Sequence, residues 1–567
     1  MGLIASFISL ITGAVFCFGL ARIGITRRLA LLAALATGLA AIGVIANPLE
    51  TTPAEPLSSI GALSLVLPAA PELSERAIAV MFLVGGTLGL LALAVVVPPE
   101  VEGFGALFGW LLLALTAALL SLTIPPLSFL TPLSWALAVI AAHGALIAAG
   151  VDPAPDQLPP HLIAGGLAVV AVTGLIATSA ALPPDTLPPT TLVGLALFGA
   201  LALAGAPPFG GARSAFTAAP ALVAALMSGL TLPTIGLGFI VRFLPQIPPL
   251  PASTGFIMAA VGAFGALGAA FTALNAQSGR DLVARHGALQ AGVVVCAAAL
   301  NEPLAGLAAP ALLLSLQLHA VAGGLVCAAI ERLQGSDLLD GKQPTAQLPF
   351  IGLIWLVTTA AATGLPLTWS FWGWRWLIEA ATSHHVWIIG PLMTAAVIGF
   401  AAGLPLLIRC WQGKTPVYTH WPEGMLSLPI LIPLILAGFV PWLAWPLWLS
   451  WSPFAPPVMP AEPLAWPFIG TAIATGVISW FLLRKANPYQ TERMPEDPAV
   501  SPTWQGMGEL LQGMSELADA RRLFSLLGHG IDRVSSSLHT IMIIFEQRYY
   551  LFGVMIGLLA ILFLMAQ

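Results

Sequence analysis

The sequence predicts an all-α polytopic membrane protein with about sixteen transmembrane helices, judged by length and hydropathy. Three observations predict it. Of 567 residues, 58% are hydrophobic and only 8% charged, with a mean hydropathy of +0.94, which lies outside the range of water-soluble domains. Apolar runs of about 18–25 residues recur from end to end, each long enough as a helix to cross about 30 Å of hydrocarbon. The few basic residues fall on alternate connections. With the N-terminus outside, the inside connections hold Arg22, Arg27 and Arg28, Arg280 and Arg285, Arg332 and Lys342, Arg409 and Lys414, and Arg484 and Lys485; Arg76 is the clear exception outside. That asymmetry is expected of cytoplasmic loops.

In chain order, spans are expected near residues 3–21, 29–46, 78–97, 104–122, 130–150, 161–182, 191–206, 217–243, 253–275, 286–300, 307–330, 350–379, 387–408, 425–446, 465–483 and 551–566. The first, LIASFISLITGAVFCFGLA, has no basic residue before it and Arg22, Arg27 and Arg28 after it. This reverses the charge order of a signal peptide, so it is read as a retained span. The chain divides into N-terminal helices (1–103), a core (104–414), C-terminal helices (415–484), a polar cytoplasmic segment (485–550) and a final helix (551–567). Within the polar segment Met507, Leu510, Leu511, Met514, Leu517 and Phe524 recur at helical spacing against Glu509, Glu516, Asp519, Arg521 and Arg522. That is an amphipathic helix for the membrane surface or a partner subunit.

Several functions are excluded early. Cys17, Cys296, Cys327 and Cys410 stand singly, with no C-x-x-C and no histidine cluster at ligand spacing. Iron–sulfur, zinc and c-type haem sites therefore have no support, and no cofactor or metal is expected. His143 and His319 are too far apart in sequence to argue a haem b pair. A net charge of -5 spread along the chain offers no basic stripe for nucleic acid.

Two spans are interrupted, by Pro207 and Pro208 in AGAPPFGGARSAF (204–216) and by Gly364 and Pro366 in TGLPLTWSFWGW (363–374). Proline removes a backbone donor and clashes with the preceding turn, so each site should break its helix. Two such breaks in two halves point to a repeat-built transporter and its ion path, where one alone would be a simple kink.

Ionisable groups inside spans are functional suspects. His319 is the only titratable group between Ser315 and Glu331 apart from the Cys327 thiol. Imidazole suits proton relay because it titrates near physiological pH; the plain alternative is a neutral ring bonding across helices. His143 is a second suspect, and His286 a third at an expected cytoplasmic edge. Arg375 and Glu379, four residues apart, are placed to pair on one helix face as a surface anchor. Arg213 and Arg242 flank the first break, as a gate or as side chains snorkelling to the interface.

Four stretches in order carry a resemblance. APPFGGARSAFTAAPALVAALMSGLTLPTIGLGFIVRF resembles the broken helix and following helix of the antiporter-like membrane subunits of NADH:quinone oxidoreductase (respiratory complex I), shared with membrane-bound hydrogenases and Mrp-type sodium/proton antiporters. RDLVARHGALQAG resembles that family's Asp-x-Lys-Arg segment ending in Ser-Gln-x-Gly, shortened by about one turn. LQLHAVAGGLVCAAI resembles its His-Ala-x-x-Lys helix, with His319 and Ala320 at the matching positions, and TGLPLTWSFWGWRWLIEAA resembles its second broken helix. Together they cover roughly residues 190–414, while other spans match in number and spacing only.

The resemblance implies two inverted five-helix repeats within 104–414, each with one broken helix, and a buried chain of protonatable residues between them. It also implies a membrane-arm subunit of a redox-driven complex in the cell's inner (cytoplasmic) membrane. Its partners would be other membrane subunits, the lipid bilayer, and protons or sodium. The chain departs from the family at the lysines. Only Lys342, Lys414 and Lys485 exist, all in expected loops; Gly323 and Trp374 stand where the family has lysine, Trp135-Ala136 where it has Trp-Glu, and Ser228 where members often place His or Lys. A buried lysine stores a proton because desolvation and a carboxylate oppose each other on its pKa; glycine and tryptophan cannot. Two functions stay open: translocation coupled to electron transfer in other subunits, with His319, His143, His286, Ser228, Arg375 and Glu379 as the proton-relay candidates, or a scaffold that has lost its ion path. A stand-alone secondary cation transporter is the further alternative. No catalytic redox residue is expected in this chain.

Overall fold

The computed structural model describes residues 2–21, 26–46, 56–60, 63–66, 73–96, 104–151, 160–181, 189–210, 213, 216–246, 252–300, 302–339, 346–365, 368, 370–411 and 415–416. The spans expected at 425–446, 465–483 and 551–566, the segment 485–550, and Pro366 lie outside these residues.

Among the described residues, every segment that crosses the molecule is helical, as a backbone without water must be. The helices are α1 (Gly2–Leu20), α2 (Thr26–Ala46), α3 (Leu73–Val96), α4 (Phe104–Thr123), α5 (Leu130–Ala148), α6 (Pro160–Ala181) and α7 (Thr190–Ala204). They continue as α8 (Ala221–Phe243), α9 (Ala252–Leu274), α10 (Gly279–Ala299), α11 (Pro303–Gln334), α12 (Pro349–Ala362), α13 (Ser370–His384) and α14 (Ile389–Trp411). Ten helical segments among the described residues are long and apolar enough to cross a membrane. Ile78–Ala94, Thr190–Ala204 and Ile351–Ala362 are shorter and apolar. Each span expected before residue 410 corresponds to one of these helices, except 350–379, which is divided between α12 and α13. Two short strand pairs decorate the connections, Pro56–Ile60 against Leu63–Val66 and Ala346–Gln347 against Thr415–Pro416.

Both breaks form where proline and glycine stand. α7 ends on Gly205, whose φ of 56° is left-handed and cheap only without a Cβ; the Pro207–Pro208 bond follows. α12 ends at Ala362, and Gly364 turns the chain with a φ of 73° before α13 starts at Ser370. The Ser370 hydroxyl bonds back to the Ala361 carbonyl, tying the two sides of that break together. A third irregularity lies just before Pro233, which cannot bond the Gly229 carbonyl: Ala225–Thr231 within α8 is π-helical, and the Thr231 hydroxyl caps the Leu226 carbonyl five residues back at 2.6 Å.

The interior packs on small residues. Cβ atoms built at Gly292 or Gly262 would meet backbone atoms of the opposite helix, so α9 and α10 cross with their main chains in contact. Outward, Ile4, Ile8, Ile11 and Val15 share one exposed stripe of α1, a face suited to lipid. Trp135, Trp355 and Trp374 are almost wholly buried.

Arg242 does not reach outward. It is 9% exposed and donates to the carbonyls of Ser121 at 2.8 Å and Ile124 at 2.9 Å, which close the end of α4. The snorkelling alternative is thereby corrected: the orphan carbonyls at a helix end are better partners than distant water. Arg242→Met should lower stability by about 2–4 kcal/mol, the scale of two charge-assisted hydrogen bonds. Thermal unfolding in detergent checks this against Arg28→Met, an exposed position where no change is expected.

Candidate functional site

α10 begins seven residues before the expected span, because Ser278 caps it and accepts the Asp281 amide at 3.2 Å. Hydropathy discounts Arg280, Asp281 and Arg285, yet each is paired. Arg285 Nε donates to Asp281 Oδ1 at 2.8 Å, and Arg280 bonds Asp337 and Glu331. The correction matters for His286. It is fully buried rather than at an edge, roughly 10 Å along the helix at 1.5 Å per residue.

That depth brings His286 to His319, which lies near the middle of α11, with ring centroids 5.6 Å apart at 63°. His286 Nε2 is 2.8 Å from the Gly399 carbonyl of α14, and His319 Nδ1 is 3.3 Å from the Thr358 carbonyl of α12. A carbonyl only accepts, so both ring nitrogens are the N–H of their imidazoles. The remaining nitrogens, His286 Nδ1 and His319 Nε2, are buried without a partner and are therefore bare lone pairs in the neutral rings. The Trp355 indole stacks on His286 at 6.0 Å and donates Nε1–H to the Gly403 carbonyl at 2.7 Å, which fixes the wall of the pair. One turn beyond His286, buried Gln290 has neither amide atom partnered.

A second pair stands elsewhere. His143 Nδ1 of α5 meets His161 Nε2 of α6 at 3.2 Å, and His161 is 4% exposed against the Phe216 ring. His143 thus partners His161, a residue that sequence reasoning misses, and not His319.

Arg213 lies between the two pairs. It follows the first break, is 2% exposed, and donates Nε to the Gly205 carbonyl at 3.0 Å, while Nη1 and Nη2 have no partner. Its guanidinium presses on Gly287, where an added Cβ would overlap Nη1. The glycine beside His286 is what lets a buried cation approach the His286–His319 pair. Snorkelling is corrected here too, since no part of Arg213 reaches the surface. Ser228, in the π-helical turn, donates to the Ala224 carbonyl at 2.8 Å and lines two small cavities. One, about 10 Å³ as room for the centre of a water-sized sphere, is walled by His161, Gly205, Arg213, Phe216 and Ser228. The other, about 20 Å³, extends past Gly287, Ala320 and Gly324 to Arg280.

Arg375 and Glu379 do not join this group. The Arg375 guanidinium lies over the Trp372 ring at 5.3 Å on α13. No cluster of three or more metal-ligating side chains occurs among the described residues.

Known proteins share this architecture. The chain is similar to a chain of the membrane-bound sulfane sulfur reductase, an archaeal respiratory membrane complex, at 17% identity and a TM-score of 0.63, covering 77% of this chain and 75% of that one. It is similar to a chain of the Mrp complex from Dietzia sp. DQ12-45-1b at 15% identity and a TM-score of 0.67, covering 95% of this chain and 63% of that one. A chain of respiratory complex I from Thermus thermophilus gives 18% identity, a TM-score of 0.60, and coverage of 84% and 99%. At these identities the likeness is one of fold. None of the curated proteins compared matches. The family model described as "NADH:quinone oxidoreductase/Mrp antiporter, TM" matches residues 190–399, from the start of α7 to the carbonyl that holds His286. That stretch, with both helix breaks inside it, is the part of the chain that resembles the NADH:quinone oxidoreductase/Mrp antiporter transmembrane family.

Proposed function

We propose that the chain is an antiporter-like membrane-arm subunit of a complex I-like or hydrogenase-like redox assembly, and that it takes part in proton or cation translocation coupled to electron transfer in its partner subunits. The two broken helices are read as the centres of two inverted five-helix units within 104–414, in an inner (cytoplasmic) membrane. The observation that carries the reading is the row of half-buried His143, buried His161, Arg213 and the His286–His319 pair, contributed by five separate segments and bordered by two cavities.

In this row the histidines do what lysines do in the family. A neutral imidazole takes a proton on its bare nitrogen and gives it up again from that same nitrogen, so His286 Nδ1 and His319 Nε2 are the atoms that receive and return it. The carbonyls of Gly399 and Thr358 stabilise the resulting imidazolium through the opposite N–H. Arg213 contributes a fixed positive charge and does not exchange its proton.

The scaffold reading keeps one specific support. Arg213 is permanently charged and buried beside the relay, where it opposes entry of a second positive charge. The discriminating experiment is proton uptake by proteoliposomes containing the native complex, with His319→Ala and His319→Gln at equal incorporation. The translocating reading expects electron transfer to persist while ions moved per electron pair fall by the share of one subunit. Unchanged stoichiometry in assembled complexes rejects it and leaves the scaffold.

A further inference from the structure

We propose that Arg213 and His161 form a binding site for a monovalent, monoatomic anion of the chloride class, inside the cavity behind the first helix break. The argument starts from charge. A guanidinium is never deprotonated in a protein, and burying it unpaired is among the most expensive arrangements a chain can hold. Arg213 is 2% exposed, spends only Nε on a carbonyl, and leaves both Nη groups without a partner. None of the cavity's lining residues is acidic. The compensation must therefore come from something that enters.

The rest of the wall selects its sign and size. His161 Nδ1 is buried and unpartnered. When His143 Nδ1–H donates to His161 Nε2, the proton of His161 rests on Nδ1 and becomes a second donor to the cavity it lines. Ser228 spends its hydroxyl proton on the Ala224 carbonyl, and the Gly205 carbonyl is taken by Arg213 Nε. The wall is thus cationic, with donors left over and its carbonyl engaged. A metal cation is repelled. A water molecule would accept from Arg213 and leave the net charge uncompensated. The room, about 10 Å³ for the centre of a water-sized sphere, admits at most one small particle and excludes phosphate or a carboxylic acid.

The site shares Arg213 and His161 with the row proposed above, but its test reads anion binding and not proton movement. The test is equilibrium binding of radioactive chloride to the purified native complex, compared with Arg213→Gln and with Arg28→Gln as an exposed control. Arg213→Gln is expected to lose one chloride equivalent per complex and Arg28→Gln none. Bromide should compete and sulfate should not. Equal chloride binding in wild type and Arg213→Gln overturns the proposal. Should Arg213→Gln fail to assemble, bromide replaces chloride in the wild-type complex and is located by its anomalous scattering. A peak within hydrogen-bonding distance of Arg213 Nη1 or Nη2 supports the site, and no peak there rejects it.

Discussion

Gly292→Leu is expected to remove the folded protein almost completely, and Gly292→Ala to leave a reduced, less stable fraction. A Cβ at Gly292 would lie 2.7 Å from the Gly262 carbonyl oxygen, 2.8 Å from the Ala266 amide nitrogen and 3.1 Å from Ala266 Cα. All three are main-chain atoms, so no side chain can swing away and the helices α9 and α10 must separate. In a membrane that pair has no hydrophobic drive to recover, because lipid tails solvate apolar side chains equally well; close packing is what holds it. Overpacking usually costs about 1–3 kcal/mol where side chains can yield, and a contact between backbones belongs above that range. Gly174→Leu, with nothing within 4 Å of the added Cβ, is the matched control and should behave as wild type. The yield of monodisperse protein in detergent, followed by thermal unfolding, reads both effects.

The second large effect is expected at Arg280. Its side chain joins Asp337 by Nε at 3.2 Å and Nη2 at 3.3 Å, Glu331 by Nε at 3.0 Å, and the Ala219 carbonyl by Nη1 at 2.8 Å. One guanidinium thereby ties the start of α10 to the end of α11 and to the segment leaving the first break. The Asp337 side chain is only 1% exposed, so Arg280→Gln leaves its carboxylate with the Arg280 backbone amide at 2.9 Å and the nearby charge of Arg409 in place of the guanidinium bonds. A loss of about 2–3 kcal/mol is expected, below a fully buried pair because 23% of Arg280 meets solvent. Arg280→Gln combined with Asp337→Asn should be milder than Arg280→Gln alone, since the carboxylate charge is gone. Additive losses in that cycle would show that the two residues act separately.

Much of this architecture is legible in the amino-acid sequence. Hydropathy locates the spans up to residue 410, and proline with glycine locates both breaks, because each signal is local and strong. His319 is legible for the same reason, as a lone imidazole in an apolar run. Hydropathy misplaces His286 in depth because its neighbours Arg280, Asp281 and Arg285 read as loop, whereas their partners arrive from Asp337, Glu331 and within the helix itself. His161 carries no local signal of a functional role. It sits at the second position of α6 after two prolines, where a polar residue is ordinary, and only the return of α6 against α5 sets it on His143. Arg213 stands out in the sequence but its burial does not, since that depends on Gly205 and Gly287 leaving space from two distant segments.

The π-helical stretch Ala225–Thr231 has a consequence of phase. In a regular helix each residue advances about 100° around the axis, so one surplus residue would rotate everything beyond it; a π turn absorbs that residue in a wider loop of backbone and keeps the two flanking parts in phase. Ser228 sits inside that turn and walls both small cavities. Deleting a single residue from 225–231 would let the stretch close as regular α-helix while the two halves of α8 kept their facing. Chains that differ by one residue there would share the outer faces of α8 and differ only in the bulged turn that carries Ser228.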